Sequence, residues 1–279
     1  MKFDPLMSTA ELAFRLGEPG LRILDASWHV DRRDARAAFV AAHVPGAAFF
    51  DIDDIADPTS MLPHMLPGAE LFASKVGALG ASNADAIVVY DNQAILSAAR
   101  AWWMFRVMGH DNVRVLDGGL SKWLEEGRPI EAGDRLPRPA HFDAQFRPAL
   151  VRNAEAVRDA LLQNVQLIDA RPAARFRGEA PEPRPGLRAG HMPGARNLPA
   201  PAMFATDGTL RPADELRVLF AEAGIDPLAL SITSCGSGIA ATDTALAMAV
   251  LGNWDVAIYD GSWTEWGGRP DLPAVTGAD

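Results

Sequence analysis

The stretch Leu228–Gly252, LALSITSCGSGIAATDTALAMAVLG, runs from an apolar segment through a glycine loop into a run of small and apolar residues. The segment LALSITS predicts a buried strand, and the run TALAMAVLG predicts a helix. Short buried strands that alternate with helices are typical of a mainly parallel sheet flanked by helices. The single cysteine of the chain, Cys235, lies in the loop that joins this strand to this helix.

Strand signals of the same kind occur along the whole chain, and they form two sets. The segment LDAS at Asp25 recurs as IDAR at Asp169, 144 residues later. The segment VLDGGLSKW at Asp117 recurs as IYDGSWTEW at Asp260, 143 residues later. A period this long indicates two copies of a whole domain rather than a solenoid. We therefore expect an α/β fold of two tandem domains, each a mainly parallel sheet flanked by helices.

The segment between the two copies, GRPIEAGDRLPRPAHFDAQFRP, is rich in proline and charge and indicates a linker. We expect an N-terminal domain at 1–135, a linker at 136–150 and a C-terminal domain at 151–279. The residue 144 positions before Cys235 is Asp91. We therefore expect the C-terminal domain to be catalytic and the N-terminal domain, with aspartate in place of cysteine, to be non-catalytic.

Composition limits the partners. The formal net charge of −10 disfavours nucleic acid and anionic membranes, both of which attract basic surfaces. The first 20 residues contain acids and lack the apolar core of a signal peptide, and one cysteine cannot form an internal disulfide. We expect a cytoplasmic protein. One cysteine without a close histidine supplies no zinc ligand set, and we expect neither a metal nor an organic cofactor.

The loop around Cys235 favours a reactive thiol over a small buried side chain. Gly236 and Gly238 allow the backbone to curl with its N–H groups turned inward, and the following helix adds its positive end. Such surroundings stabilise a thiolate, which is the nucleophilic form. Phosphatases with similar loops need an arginine six residues after the cysteine, where this chain has Ala241. A protease-like pair with a distant histidine remains formally open.

The loop CGSGIAA resembles the active-site loop of sulfurtransferases in the two-domain rhodanese family, specifically those that use 3-mercaptopyruvate. The resemblance covers nearly the whole chain, in order: LDASWHV, HVPGAAFFDID, HMLPGAE, AWWMFRVMGH, LDGGLSKW, DARPAARFRGEAPEPRPG, GHMPGARN and YDGSWTEW. It implies that Cys235 carries sulfur as a persulfide. One departure is Ala240, where the family pattern has threonine, so a hydroxyl near the loop is lost.

The resemblance also implies the substrate-binding residues. Arg175 in AARFRG and Arg184 in PEPRPG match the arginines that clamp the substrate, and a guanidinium can bind a carboxylate with two directional hydrogen bonds. Three arginines nearby remain alternatives for either role: Arg171, Arg177 and Arg188. The loop residues expected to contact the substrate through their backbone are Gly236, Gly238, Ile239 and Ala240.

A proton relay is implied by the same resemblance. Its members are Ser237, two residues after the cysteine, His43 in AHVPGA, and an acid upstream of that histidine, for which Asp34 is the candidate. Because HVPGA recurs as HMPGA at His191, a structural role for both histidines remains open.

The neutral residues after Cys235 favour 3-mercaptopyruvate over thiosulfate, since family members that use the thiosulfate dianion resemble a C-R-K-G pattern. Thiosulfate transfer is the alternative, and a non-catalytic rhodanese-like binding module is a second one. With no second cysteine the chain cannot resolve its own persulfide. The acceptor is therefore expected to be external: a small thiol, cyanide or a thioredoxin-like protein.

Overall fold

The computed structural model describes residues 4–31, 33–92, 96–134, 137–163 and 165–277. The chain divides into two compact units. The first unit contains Met1–Thr59, Leu66–Arg147 and Phe204–Leu210, and the second contains Ser60–Met65, Pro148–Met203 and Arg211–Asp279. Among the helices that the structure describes, none combines the length and apolarity needed to traverse a bilayer.

In the described part of the first unit, five parallel strands form one sheet in the order β1-β5-β4-β2-β3. The strands are β1 (Leu6–Met7), β2 (Leu21–Asp25), β3 (Ala48–Phe49), β4 (Ala86–Tyr90) and β5 (Val113–Leu116). The helices are α1 (Thr9–Arg15), α2 (Ala35–Ala41), α3 (Ala69–Ala78), α4 (Ala98–Val107) and α5 (Gly119–Glu125).

The described part of the second unit repeats this arrangement, with parallel strands in the order β6-β10-β9-β7-β8. The strands are β6 (Val151–Arg152), β7 (Gln166–Asp169), β8 (Arg196–Asn197), β9 (Ser231–Ser234) and β10 (Ala257–Tyr259). The helices are α6 (Ala154–Leu162), α7 (Ala173–Phe176), α8 (Ala213–Glu222), α9 (Ala241–Val250) and α10 (Ser262–Trp266), with short 3-10 helices at Pro148–Leu150 and Ala200–Met203. The predicted fold class is confirmed: each unit is a parallel sheet flanked by helices.

Matched side-chain contacts follow the duplication into the core of each unit. The indole Nε1 of Trp123 donates to the Pro129 carbonyl at 2.7 Å, and that of Trp266 donates to the Pro273 carbonyl at 2.7 Å. Both indoles are fully buried. A buried Trp needs such an acceptor for its N–H, and each copy supplies one at the corresponding proline.

Strand β9 brings the cysteine to its place. It is the middle strand of its sheet and pairs with β10 on one side and β7 on the other. Its four residues are all buried, and α9, which follows the loop, is buried along nearly its whole length. This burial on every side explains why the helix, apart from Asp243, is made of alanine, threonine and apolar residues without an amphipathic pattern. Cys235 thus leaves the carboxyl end of a central parallel strand, where ligand sites of open α/β sheets lie.

Candidate active site

Cys235 is 3% exposed, and both of its backbone polar groups are hydrogen-bonded to the first residues of α10. Its amide N–H donates to the Ser262 hydroxyl at 3.1 Å, and its carbonyl accepts the N–H of Trp263 at 3.0 Å. The Ser262 hydroxyl in turn donates to the Tyr259 carbonyl at 2.8 Å. The cysteine is therefore fixed at its backbone by residues that are distant in sequence.

The next carbonyl, that of Gly236, is also held. It accepts the N–H of Thr264 at 2.9 Å and the Thr264 hydroxyl at 2.6 Å. Gly238 has a φ of 81°, in the left-handed region that favours glycine, so the loop can curl tightly. Within the described part of the chain, four loop amides donate to no protein acceptor: those of Gly236, Ser237, Ile239 and Ala240. These N–H groups, just before α9, are available to bind an anion.

The first unit has the same backbone attachments around Asp91. The N–H of Leu120 donates to the Asp91 carbonyl at 2.8 Å, as Trp263 does to Cys235. The Ser121 hydroxyl donates to the Asn92 carbonyl at 3.3 Å, as Thr264 does to Gly236. The attachment of the loop to the following turn is therefore a property of both copies.

Two differences separate the copies at this point. The position of Ser262 is glycine in the first copy, Gly119, and both residues have left-handed backbone, with φ of 49° and 58°. The carboxylate of Asp91 accepts the N–H groups of Ser97 and Ala98 at 2.8 and 2.9 Å, where α4 begins. The first copy thus places a carboxylate at the start of its helix, and the second copy has a thiol at the corresponding chain position.

Arg175 on α7 reaches the cysteine loop. A β-carbon added to Gly236 would lie 3.3 Å from Nη2 of Arg175, so the guanidinium lies directly over this glycine. Its Nε is buried and has no hydrogen-bond partner among the residues that the structure describes. The predicted substrate arginine therefore lies against the residue next to Cys235, with a donor that protein groups leave open.

A buried ion-pair cluster supports Arg175. Arg171 binds Asp169 through Nε and through Nη2 at 2.7 Å, and its Nη1 donates to Glu182 at 2.8 Å. Glu182 also accepts Nη2 of Arg175. Burial acts to lower the pKa of Arg171, but the carboxylates of Asp169 and Glu182 raise it overall. The guanidinium of Arg171 also stacks 4.3 Å above the ring of Trp263.

The three alternative arginines have other partners. Arg171 is the centre of the buried cluster, with 1% of its side chain exposed. Arg177 pairs with Glu179 at the surface. Arg188 donates to four carbonyls at the end of the chain: those of Gly267, Leu272, Trp266 and Arg269. The other substrate-arginine candidate, Arg184, is half-buried in the loop between α7 and β8.

The proposed relay residues lie in different units. Ser237 is buried in the cysteine loop of the second unit. Asp34 and His43 belong to the first unit, where Asp34 caps α2 by accepting the N–H of Ala37 at 2.9 Å. His43 is fully buried, with Nδ1 2.8 Å from the Phe39 carbonyl and its ring stacked on Phe39 at 4.1 Å. Both residues therefore have structural contacts within the first unit.

His191 makes the corresponding contacts in the second unit. Its Nδ1 lies 2.9 Å from the Phe176 carbonyl, and its ring stacks on Phe176 at 3.7 Å. Because both copies contain the stacked pair, packing accounts for the repeated histidine.

Sequence reasoning missed three residues of the site: Ser262, Thr264 and Glu182. A signal for Ser262 was present, because the repeat aligns it with a glycine in a GG pair. Glu182 carried a weaker signal, as an acid between Arg175 and Arg184 in a proline-rich loop. No group of three or more histidine, cysteine or acidic residues within the described ranges could hold a metal ion.

Comparison with known proteins agrees with this geometry. The model of the rhodanese-like domain matches twice, at residues 8–126 and 153–269. Human 3-mercaptopyruvate sulfurtransferase is 46% identical over 90% of this chain and 86% of its own length. A mitochondrial thiosulfate/3-mercaptopyruvate sulfurtransferase of Arabidopsis thaliana is 44% identical over 97% of this chain and 78% of its own length.

Among solved structures, SseA from Escherichia coli, described as a 3-mercaptopyruvate sulfotransferase with the rhodanese fold, superposes with a TM-score of 0.85. It is 38% identical to this chain, and the match covers 94% of this chain and 99% of that one. Both halves of the chain, the sheet topology and the cysteine loop agree on one conclusion: this protein belongs to the rhodanese family, as a member with two rhodanese-like domains.

Proposed function

We propose that this protein is a sulfurtransferase that takes sulfur from 3-mercaptopyruvate onto Cys235 and releases pyruvate. The observation that carries the proposal is the neutral loop after Cys235, which has four amides without a described protein acceptor and has Nη2 of Arg175 over its first glycine, Gly236. The names of the human and Escherichia coli relatives support the same donor. Amide dipoles suit a thiolate or persulfide, and a guanidinium suits the carboxylate of the donor.

The sulfur-transfer step balances without a cofactor. The Cys235 thiolate attacks the sulfur of 3-mercaptopyruvate, a sulfur–sulfur bond forms, and the bond from carbon to sulfur breaks. Its electron pair stays on the carbon as the enolate of pyruvate, which takes up one proton. Arg175 and Arg184 bind the carboxylate end of the donor, and the backbone of Gly236, Gly238, Ile239 and Ala240 surrounds the sulfur.

We propose that Ser237 delivers the proton to the enolate, and that His43 and Asp34 are the further members of the proton relay. This assignment rests on the family resemblance. A Ser237→Ala variant is expected to form the persulfide more slowly while still binding the donor, since general acid catalysis contributes about 10²–10⁴-fold in rate. A structural serine would instead leave the rate unchanged.

The acceptor must come from outside this chain, since Cys235 is its single cysteine. We propose a small thiol, cyanide or a thioredoxin-like protein. We also propose that the domain boundaries are 1–135 and 151–279, with a linker at 136–150, and that the first domain is non-catalytic. The proposed location is the cytoplasm. The name of the Arabidopsis relative places that protein in mitochondria, so fractionation of the source cells is the test.

The first experiment is an intact-mass measurement of the protein after incubation with 3-mercaptopyruvate in the absence of an acceptor. A gain of one sulfur atom, missing in a Cys235→Ser variant, is the expected result. A gain from thiosulfate alone would replace the donor assignment, and the Arabidopsis relative, whose name includes both donors, makes this a necessary comparison. No gain from either donor would leave a non-catalytic binding module as the better interpretation.

A further inference from the structure

Glu182 lies between two arginines that differ in exposure to solvent. Its Oε1 accepts Nη1 of Arg171 at 2.8 Å, and its Oε2 accepts Nη2 of Arg175. The side chains of Glu182 and Arg171 are 2% and 1% exposed, whereas that of Arg175 is 23% exposed. The carboxylate thus joins a fully enclosed guanidinium to one that solvent and small molecules can reach.

The enclosed end of this chain of contacts is rigid. Besides Glu182, Arg171 binds Asp169 and donates to the Gly190 carbonyl at 2.9 Å, and its guanidinium stacks on Trp263. Arg175, the more exposed of the two arginines, has a single contact of this kind. Within the described residues, Glu182 is the one hydrogen-bond partner of the Arg175 guanidinium. The placement of Nη2 over Gly236 therefore depends on Glu182.

We propose that Glu182 is a positioning residue for donor binding. It holds Nη2 of Arg175 against Gly236, so that Nη1 of Arg175 remains available to the donor carboxylate. A guanidinium fixed at one edge loses less side-chain entropy when it binds a carboxylate. This inference rests on the proposed function in one respect, namely that Arg175 binds the donor.

Removal of the Glu182 charge tests the proposal, because a charge effect and a positioning effect change KM in opposite directions. Asp169, Arg171, Arg175 and Glu182 together carry two positive and two negative charges. If charge alone mattered, removal of the Glu182 charge would strengthen the attraction for an anionic donor, and KM would fall. If position matters more, the same change frees Arg175, and KM rises. The two effects predict opposite results for one variant.

Glu182→Gln is the variant for this test, and Glu179→Gln is its matched control. Glu179 makes the same kind of contact with Arg177, at the surface. We expect the KM of Glu182→Gln for 3-mercaptopyruvate to rise about tenfold, as for the loss of one charge-assisted hydrogen bond, with kcat changed by less than about twofold. The control should match the native protein. An unchanged or lower KM in Glu182→Gln would overturn the proposal.

A second readout needs no sulfur transfer. Iodoacetate and iodoacetamide both alkylate cysteine thiols, but only iodoacetate carries a carboxylate. The rate with iodoacetate divided by the rate with iodoacetamide, here the alkylation ratio, therefore reports how Arg175 receives an anion at Cys235. We expect this ratio to fall in Glu182→Gln and to be the same in Arg175→Met and in the double variant. A ratio that rises in Glu182→Gln, or an effect of Glu182→Gln that persists in the Arg175→Met background, would refute the positioning role.

The two readouts separate the failure of this inference from the failure of the proposed function. If the native protein gains no sulfur from 3-mercaptopyruvate, the donor assignment fails, and the alkylation ratio still decides the role of Glu182. If Glu182→Gln does not fold, Glu182→Asp replaces it, because it keeps the charge and shortens the reach. A falling ratio in Glu182→Asp supports the proposal, and a native ratio contradicts it.

Discussion

Ser262 combines a left-handed backbone with a hydroxyl that anchors Cys235, and the two properties can be separated by mutation. Left-handed backbone costs an L-residue with a side chain roughly 1–2 kcal/mol. An unpaired buried N–H costs about 1–3 kcal/mol. Ser262→Ala keeps the strain and leaves the Cys235 N–H without its acceptor, so we expect a loss of about 2 kcal/mol in the free energy of unfolding.

Ser262→Gly loses the same hydrogen bond but relieves the strain. Part of that gain is offset by the greater freedom of glycine in the unfolded chain, about 0.5–1 kcal/mol. We therefore expect the glycine variant to be about 1 kcal/mol more stable than the alanine variant. The corresponding residue of the first copy, Gly119, already combines glycine with left-handed backbone, at a φ of 58°.

The assay is urea unfolding of the native protein and the two variants, together with the rate of persulfide formation from 3-mercaptopyruvate. Stability should follow the order native, glycine, alanine, while the rate should fall by a similar factor in both variants, because both lose the anchor of Cys235. A glycine variant as unstable as the alanine variant would refute the strain argument. A native rate in both variants would refute the anchoring role.

Three further predictions concern other contacts. Gly236→Ala brings a β-carbon within 3.3 Å of Nη2 of Arg175, so the KM for 3-mercaptopyruvate should rise a few-fold in steady-state kinetics, and an unchanged KM would mean that Arg175 moves aside freely. Asp91→Asn weakens the acceptor for the Ser97 and Ala98 N–H groups and should lower the free energy of unfolding by about 1–2 kcal/mol in urea, while persulfide formation continues at the native rate. Burial raises the pKa of Tyr90 and of Tyr259, the two tyrosines of the chain, so the folded protein should show no tyrosinate absorbance at pH 10. Since unfolded tyrosine loses its proton near pH 10, the folded state then binds more protons and stability falls as pH rises further; early tyrosinate absorbance without unfolding would contradict this.

The fold was predictable because its signals are local and occur twice. The strand, loop and helix around Cys235 are consecutive in the chain, and the segments at Asp25 and Asp117 recur 144 and 143 residues later. Cys235, Gly236 and Gly238 could be selected because they are consecutive with this strand and helix, whereas Ser237 was selected by resemblance. Arg175 was selected by resemblance, and the structure places it over Gly236.

The remaining parts of the site depend on contacts across the sequence. Ser262 lies 27 residues from the amide that it accepts, and its left-handed backbone is not visible in a non-glycine residue. The role of Glu182 depends on two arginines, one just after β7 and one on α7, and a sequence pattern does not give such distances. Arg171 was an alternative to Arg175 in the sequence, and its burial against Asp169 and Trp263 separates the two.

Asp91 carries a permanent carboxylate at the position where, under the proposed function, the Cys235 thiolate of the second copy would gain and lose its charge during each turnover. The Asp91 carboxylate permanently accepts hydrogen bonds from N–H groups at the start of α4. A thiol at the corresponding position can leave the first N–H groups of its helix without an acceptor, be modified, and return to the free thiol. Under the proposed function, the two copies therefore differ in whether the group at this position changes during turnover. Because the two units share one topology, the loss of stability that accompanies a reactive cysteine can be measured by comparing the unfolding free energies of the two units.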